Sequence, residues 1–217
     1  MSVAACQKIE LHLHLEGATS PHFIRRLADE KNIYFQGVFD PAGHYIFQIF
    51  EQFLWVYEAV TTELQSPEDF YRLTAAVLSQ SAAQGVIYTE FFLSPEFCGG
   101  GDLAALTDYL AAIEQAAFEA QAKIGIRSRG IVTCIRLFGS DLAQKAASCA
   151  AETVGDYIVG FGMAGDELQG KQGYYSYSFD MAREAQLKLT THAGEWGGAE
   201  SVWQAVRDLN VAHIGHG

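Results

Sequence analysis

From Lys8 onward, short runs rich in leucine, β-branched and aromatic residues alternate with longer stretches of helical periodicity, and this alternation constrains the fold most. Strands are expected at Lys8 to His14, Val86 to Leu93, Ser128 to Ile135, Tyr157 to Met163, Leu187 to His192 and Val211 to His216. Helix signals fill the intervals. Ser66 followed by Pro67, Glu68 and Asp69 opens one helix, which closes on Gly85. Pro21 starts an earlier helix, and Ala104 to Ala122, Asp141 to Glu152, Phe179 to Ala185 and Glu200 to Leu209 supply others. Such a pattern predicts an α/β fold, a mainly parallel sheet wrapped by helices. With no linker or low-complexity stretch to divide residues 1–217, one domain is expected. The long segment between the first two strands reads as an insertion, with an aromatic-rich helix near Phe47 to Val60.

Four strands run out into polar clusters, "HLHLEG", "GMAGDE", "THAGEWGG" and "HIGHG". In strand-helix barrels the active site is assembled at the C-terminal ends of several strands, and an open doubly wound sheet also binds ligands there. The clusters therefore predict a site at that end of the sheet.

Within "IELHLHLEGA", alternation sends Leu11, Leu13 and Leu15 one way and His12 and His14 the other. Alone, such a pair also suits the polar side of an exposed edge strand. Neutral imidazole is a common metal ligand, however, and two on one face can converge on one ion. His192, at the end of another strand, becomes the third imidazole of such a site, and Glu195 is in reach to give or accept a proton. Glu195 also fits a plain acid at a helix N-terminus. His216 stands at a strand end between Gly215 and Gly217, which leave its ring uncrowded, while His213 has the opposite parity and is assigned to the packing side. His22 and His44 fall at a helix start and in a loop, where no chemistry is expected. Gly165 could bring backbone amides close to a flat ligand. Its neighbours Asp166 and Glu167 suit a solvated loop as well as a site.

Twenty-six acids against 14 bases give a formal net charge of −12, which argues against a nucleic-acid polymer as partner. Four scattered cysteines form no Cys-x-x-Cys motif and suggest reduced thiols. Neither a signal-like N-terminus nor a membrane-spanning apolar run is present in the sequence, so no membrane partner and a cytoplasmic location are expected.

Taken in order, "ELHLHLEGA", "GVIYTEFFLSP", "GFGMAGDE", "THAGEWGGAESVWQA" and "AHIGHG" resemble the adenosine deaminase family of zinc-dependent purine deaminases. The resemblance implies a TIM (β/α)8 barrel with about six of its eight strands in this chain. It implies one zinc ion on His12, His14 and His192, together with an aspartate after the eighth strand that no residue here matches. Glu195 matches the family's proton donor, His216 the histidine beside the zinc and its water, and Gly165 a backbone contact to the purine. The aromatic helix matches the apolar lid, with Phe50 as the contact, and Glu16 stands where nucleoside deaminases often carry an aspartate near the sugar. The activity implied is hydrolysis of adenosine, a small-molecule purine nucleoside, to inosine and ammonia. The alternatives are adenine or another adenine-containing compound such as aminofutalosine as substrate, or an inactive fragment. Since the sequence stops just after the sixth strand, a C-terminal segment or second chain is expected to complete the barrel.

Overall fold

A computed structural model describes residues 6–217. Six strands lie in one parallel sheet in chain order: β1 (Lys8–His14), β2 (Val86–Leu93), β3 (Arg127–Ile135), β4 (Ile158–Ala164), β5 (Lys188–Ala193) and β6 (His213–His216). Each adjacent pair is parallel. Parallel neighbours require helical crossovers, which are α3 (Pro67–Ala83), α4 (Leu103–Ile124), α5 (Gly139–Thr153), α6 (Ser176–Glu184) and α7 (Gly198–Leu209). Ahead of them, α1 (Pro21–Lys31) and α2 (Phe50–Thr61) occupy the insertion. The sheet curls strongly, because the rings of His12 on β1 and His216 on β6 lie 4.9 Å apart although their strands are not neighbours in the sheet order. This is a TIM-type barrel with six of its strands present.

Local chemistry explains the element boundaries. At the start of α3, the Ser66 hydroxyl accepts from the Asp69 amide while the Asp69 carboxylate accepts from the Ser66 amide, a capping box with Pro67 in the first turn. Asp69 also holds Lys31 of α1 at 2.7 Å, fastening α1 against α3. Helix α2 has no such cap. Ile49 is extended, so the helix begins at Phe50, three residues after the expected Phe47.

Phe91, Phe161 and Phe179 are fully buried between sheet and helices, each contributing about 1.5–3 kcal/mol of hydrophobic stabilisation. The leucine face expected for β1 is only partly covered. Leu15 is buried, but Leu11 is 52% exposed, because β1 pairs with β2 on one side alone. A register shift between Glu10 and Leu13 also interrupts the alternation, and Glu10 turns to accept a hydrogen bond from Ser81 of α3. Cys6, Cys98, Cys134 and Cys149 are all free thiols. Among the described residues no helix is long and apolar enough to cross a membrane.

Candidate active site

Four imidazoles gather at the C-terminal ends of β1, β5 and β6. The Nε2 atoms of His12 and His14 each stand 3.0 Å from Nε2 of His192. His192 is buried, and its Nδ1 lies 2.9 Å from the carbonyl oxygen of Met163 on β4. A carbonyl only accepts, so Nδ1 carries the proton and Nε2 turns a lone pair toward the other two rings. All three rings are held toward the neutral state. Burial, then the surrounding imidazoles, bring His14 down to about 3 and His192 to about 2, and burial with His216 lowers His12. Three neutral imidazoles with Nε2 atoms at this range are a donor set that fits a metal ion.

The ring of His216 comes within 4.9 Å of His12 and 5.2 Å of His192, and the ligand atoms of these three residues lie within 4.8 Å of one another. Strand alternation alone would not bring it there. Gly215 is the position of β6 that faces His12, and Ile214 packs toward the core, so His216 by parity belongs with Ile214. Its φ of 73° breaks the extended conformation and turns the side chain back to the centre. For the same reason the placement of His213 on the packing side is corrected: that side holds Ile214, and His213 is exposed. Gly215 also has a different role from the one expected, since a Cβ there would run into the imidazole of His12.

Glu195 follows β5 on the loop that leads into α7, with its Oε2 3.6 Å from Nε2 of His216. The loop is held from outside. Glu167, just past β4, is buried and accepts hydrogen bonds from the amides of Gly194 at 2.6 Å, Trp196 at 2.6 Å and Gly197 at 2.8 Å, and from the Ser201 hydroxyl. A solvated loop acid is therefore not what Glu167 is, whereas Asp166 binds only within its own turn, to Leu168 and Gln169. Sequence reading left Glu167 open between loop and site and missed Arg136 at the end of β3, which is buried and donates to the His192 carbonyl, which also accepts from Gln172 at 3.3 Å. In the sequence both were charges at the same strand ends as the histidines, and that shared position was the available signal.

Gly165 has φ 93°, and a Cβ there would press on Ile135 and the Arg136 backbone at 3.2–3.3 Å, so the turn after β4 requires glycine. An aromatic row links the loop after β5 to the loop after β2. Trp196 meets Phe50 at 5.4 Å, Phe50 meets Phe53 at 6.0 Å, Phe53 meets Tyr57 at 6.1 Å and Tyr57 meets Phe97 at 6.0 Å. Phe50, Phe53 and Tyr57 share one face of α2, so the helix spans from the β5 loop to the β2 loop. Glu16, in the turn after β1, is buried, with Oε1 accepting from the Ser94 amide at 3.3 Å and Oε2 unpartnered. Burial raises its carboxyl to about 7, against the Ser94 bond and Tyr57 beside it.

A curled parallel barrel with clustered imidazoles at its strand ends places candidate metal ligands where strand-helix barrels build their active sites. Two solved structures share the fold at TM-score 0.83: an adenine deaminase from Arthrobacter aurescens, 28% identical over 95% of this chain and 63% of its own, and an amidohydrolase from Burkhoderia ambifaria with bound Zn, 25% identical over 98% of this chain and 59% of its own. The family described as Adenosine deaminase matches residues 7–217. An adenine deaminase from Chelativorans sp. (strain BNC1) is 42% identical over 97% of this chain. The chain belongs to the adenosine deaminase family. It spans 64% of the length of the Chelativorans relative.

Proposed function

We propose that this chain carries the metal and acid-base centre of a zinc-dependent adenine deaminase, which hydrolyses the exocyclic amine of adenine to give hypoxanthine and ammonia. The observation that carries the reading is the convergence of three neutral imidazoles, His12, His14 and His192, beside the Glu195–His216 pair. Those three rings would hold the zinc, whose Lewis acidity, when bound, would lower the pKa of water toward neutrality. Glu195 is the residue placed to donate a proton to the ring nitrogen next to the carbon that bears the amine, making that carbon electrophilic. His216 orients the attacking water and stabilises its developing charge. Phe50 and Trp196 cover the base from solvent, and Gly165 lets backbone groups approach its edge. The loop carboxyl Glu167 is not assigned to the reacting atoms.

Adenine is preferred over adenosine as the substrate. Relatives named adenine deaminase at 42% and 39% identity support the free base. Glu16, buried in the turn after β1 with Tyr57 beside its carboxylate, is the group proposed to meet the ring edge that a nucleoside would substitute with sugar. Ammonia release from adenine, adenosine and aminofutalosine by the zinc-loaded protein tests this. kcat/KM for adenine should exceed that for adenosine by on the order of 100-fold. The reverse preference would overturn the substrate assignment, and no turnover of any of the three with the segment expected to complete the barrel supplied would overturn the enzyme assignment.

A further inference from the structure

We propose that Glu167 is a positioning residue for Glu195, an inference that rests on the deaminase reading above. Gly194 and Trp196 flank Glu195, and both of their amides donate to Glu167 at 2.6 Å. The peptide that carries the acid is thus gripped on both sides by one carboxylate. The side chain of Glu195 meets His216 at 3.6 Å, longer than a hydrogen bond, so its place is set chiefly by this backbone.

The grip reaches beyond a helix cap. Glu167 takes the amide of the N-cap residue Gly197 and the Ser201 hydroxyl but none of the first helical amides of α7, and it continues back through Trp196 to Gly194 just past β5. Successive amides turned toward one anion at a helix N-terminus form a rigid anion-binding turn, here filled by the protein's own carboxylate. That carboxylate stays ionised. Burial works against its charge, but the Ser201 hydroxyl and the Gly197, Trp196 and Gly194 amides outweigh it and hold the group at about 2. Upstream, Arg136 and Gln172 fix the carbonyl of His192, so the loop that bears Glu195 leaves an already anchored residue.

The test compares Glu167→Gln, Glu167→Asp and Ser201→Ala with the wild type in the zinc-loaded protein. Three quantities are read: zinc per chain, hydrogen exchange at the amides of residues 194–197, and kcat and KM for adenine. Gln presents an N–H₂ where two amides now donate, so Glu167→Gln should speed exchange in the loop and lower kcat on the order of 100-fold, with KM changed less than about threefold and zinc retained. Asp keeps the charge at shorter reach and should recover part of kcat. Ser201→Ala, which leaves the three amide bonds, should fall nearer the wild type. If Glu167→Gln does not fold, the graded order of the other two variants in kcat and loop exchange carries the same comparison. Unchanged kcat with a loosened loop, or loss of kcat that tracks loss of zinc, would overturn the positioning role. Wild-type turnover, with the segment expected to complete the barrel supplied, tests the deaminase reading separately, and a wild type then inactive on adenine, adenosine and aminofutalosine would remove both.

Discussion

The proton on Nδ1 of His192 is committed to the carbonyl oxygen of Met163, 2.9 Å away on the neighbouring strand. Backbone geometry thereby decides which nitrogen of a buried ring faces the centre. Removing that ring should cost the protein its metal. His192→Ala is expected to abolish stoichiometric zinc, read by elemental analysis after dialysis, whereas His44→Ala, in an exposed loop, should retain one zinc per chain.

Glu195→Gln keeps the shape of the acid and removes its proton. kcat should drop by on the order of 100-fold or more with zinc content unchanged, as measured by steady-state ammonia release. Activity retained within a factor of about two would remove Glu195 from the acid-base role.

Gly215→Ala tests a steric requirement. The new Cβ would occupy the place of the His12 imidazole, so the ring must move away from His192. Zinc affinity should weaken by roughly 10- to 100-fold in a chelator competition, with far-ultraviolet circular dichroism unaltered.

Acid stability should carry the signature of Glu167. Its carboxyl sits at about 2 in the folded chain against an ordinary 4.5, so its stabilisation is complete above pH 4.5 and is lost as pH falls toward 2. Urea unfolding of the wild type should weaken with acidification through that window. In Glu167→Gln this contribution to the slope should vanish, and an identical slope in the two proteins would contradict it.

Truncating the roof should act on binding. Phe50→Ala removes the ring that meets Trp196 and is expected to raise KM for adenine by roughly 5- to 20-fold with kcat less affected. A change confined to kcat would argue that the aromatic row does not contact the base.

Much of this fold was legible because strand runs and helix caps are local. Ser66, Pro67 and Asp69 announced α3, and the structure places a capping box there. Helix α2 announced its aromatic face but not its first residue, since Ile49 offers no capping side chain. The convergence of His12, His14, His192 and His216 was readable from shared position at strand ends. What alternation could not supply was the φ of 73° that turns His216 inward, or the register shift in β1. Arg136 escaped, and Glu167 stayed open between loop and site, because their partners are chiefly backbone groups far along the chain, and a residue's type says nothing about which distant amide or carbonyl it will meet.

The imidazoles of His12 and His192 are separated by 180 positions of sequence and 3.0 Å of space. Any ion they share is a covalent-like clasp between the first strand and the fifth, and closing so long a loop has an entropic cost that must be met before the clasp can form. No early folding nucleus can own such a centre. Metal capture would come late, after the intervening strands have ordered, and its arrival rate would serve as a clock for completion of the sheet.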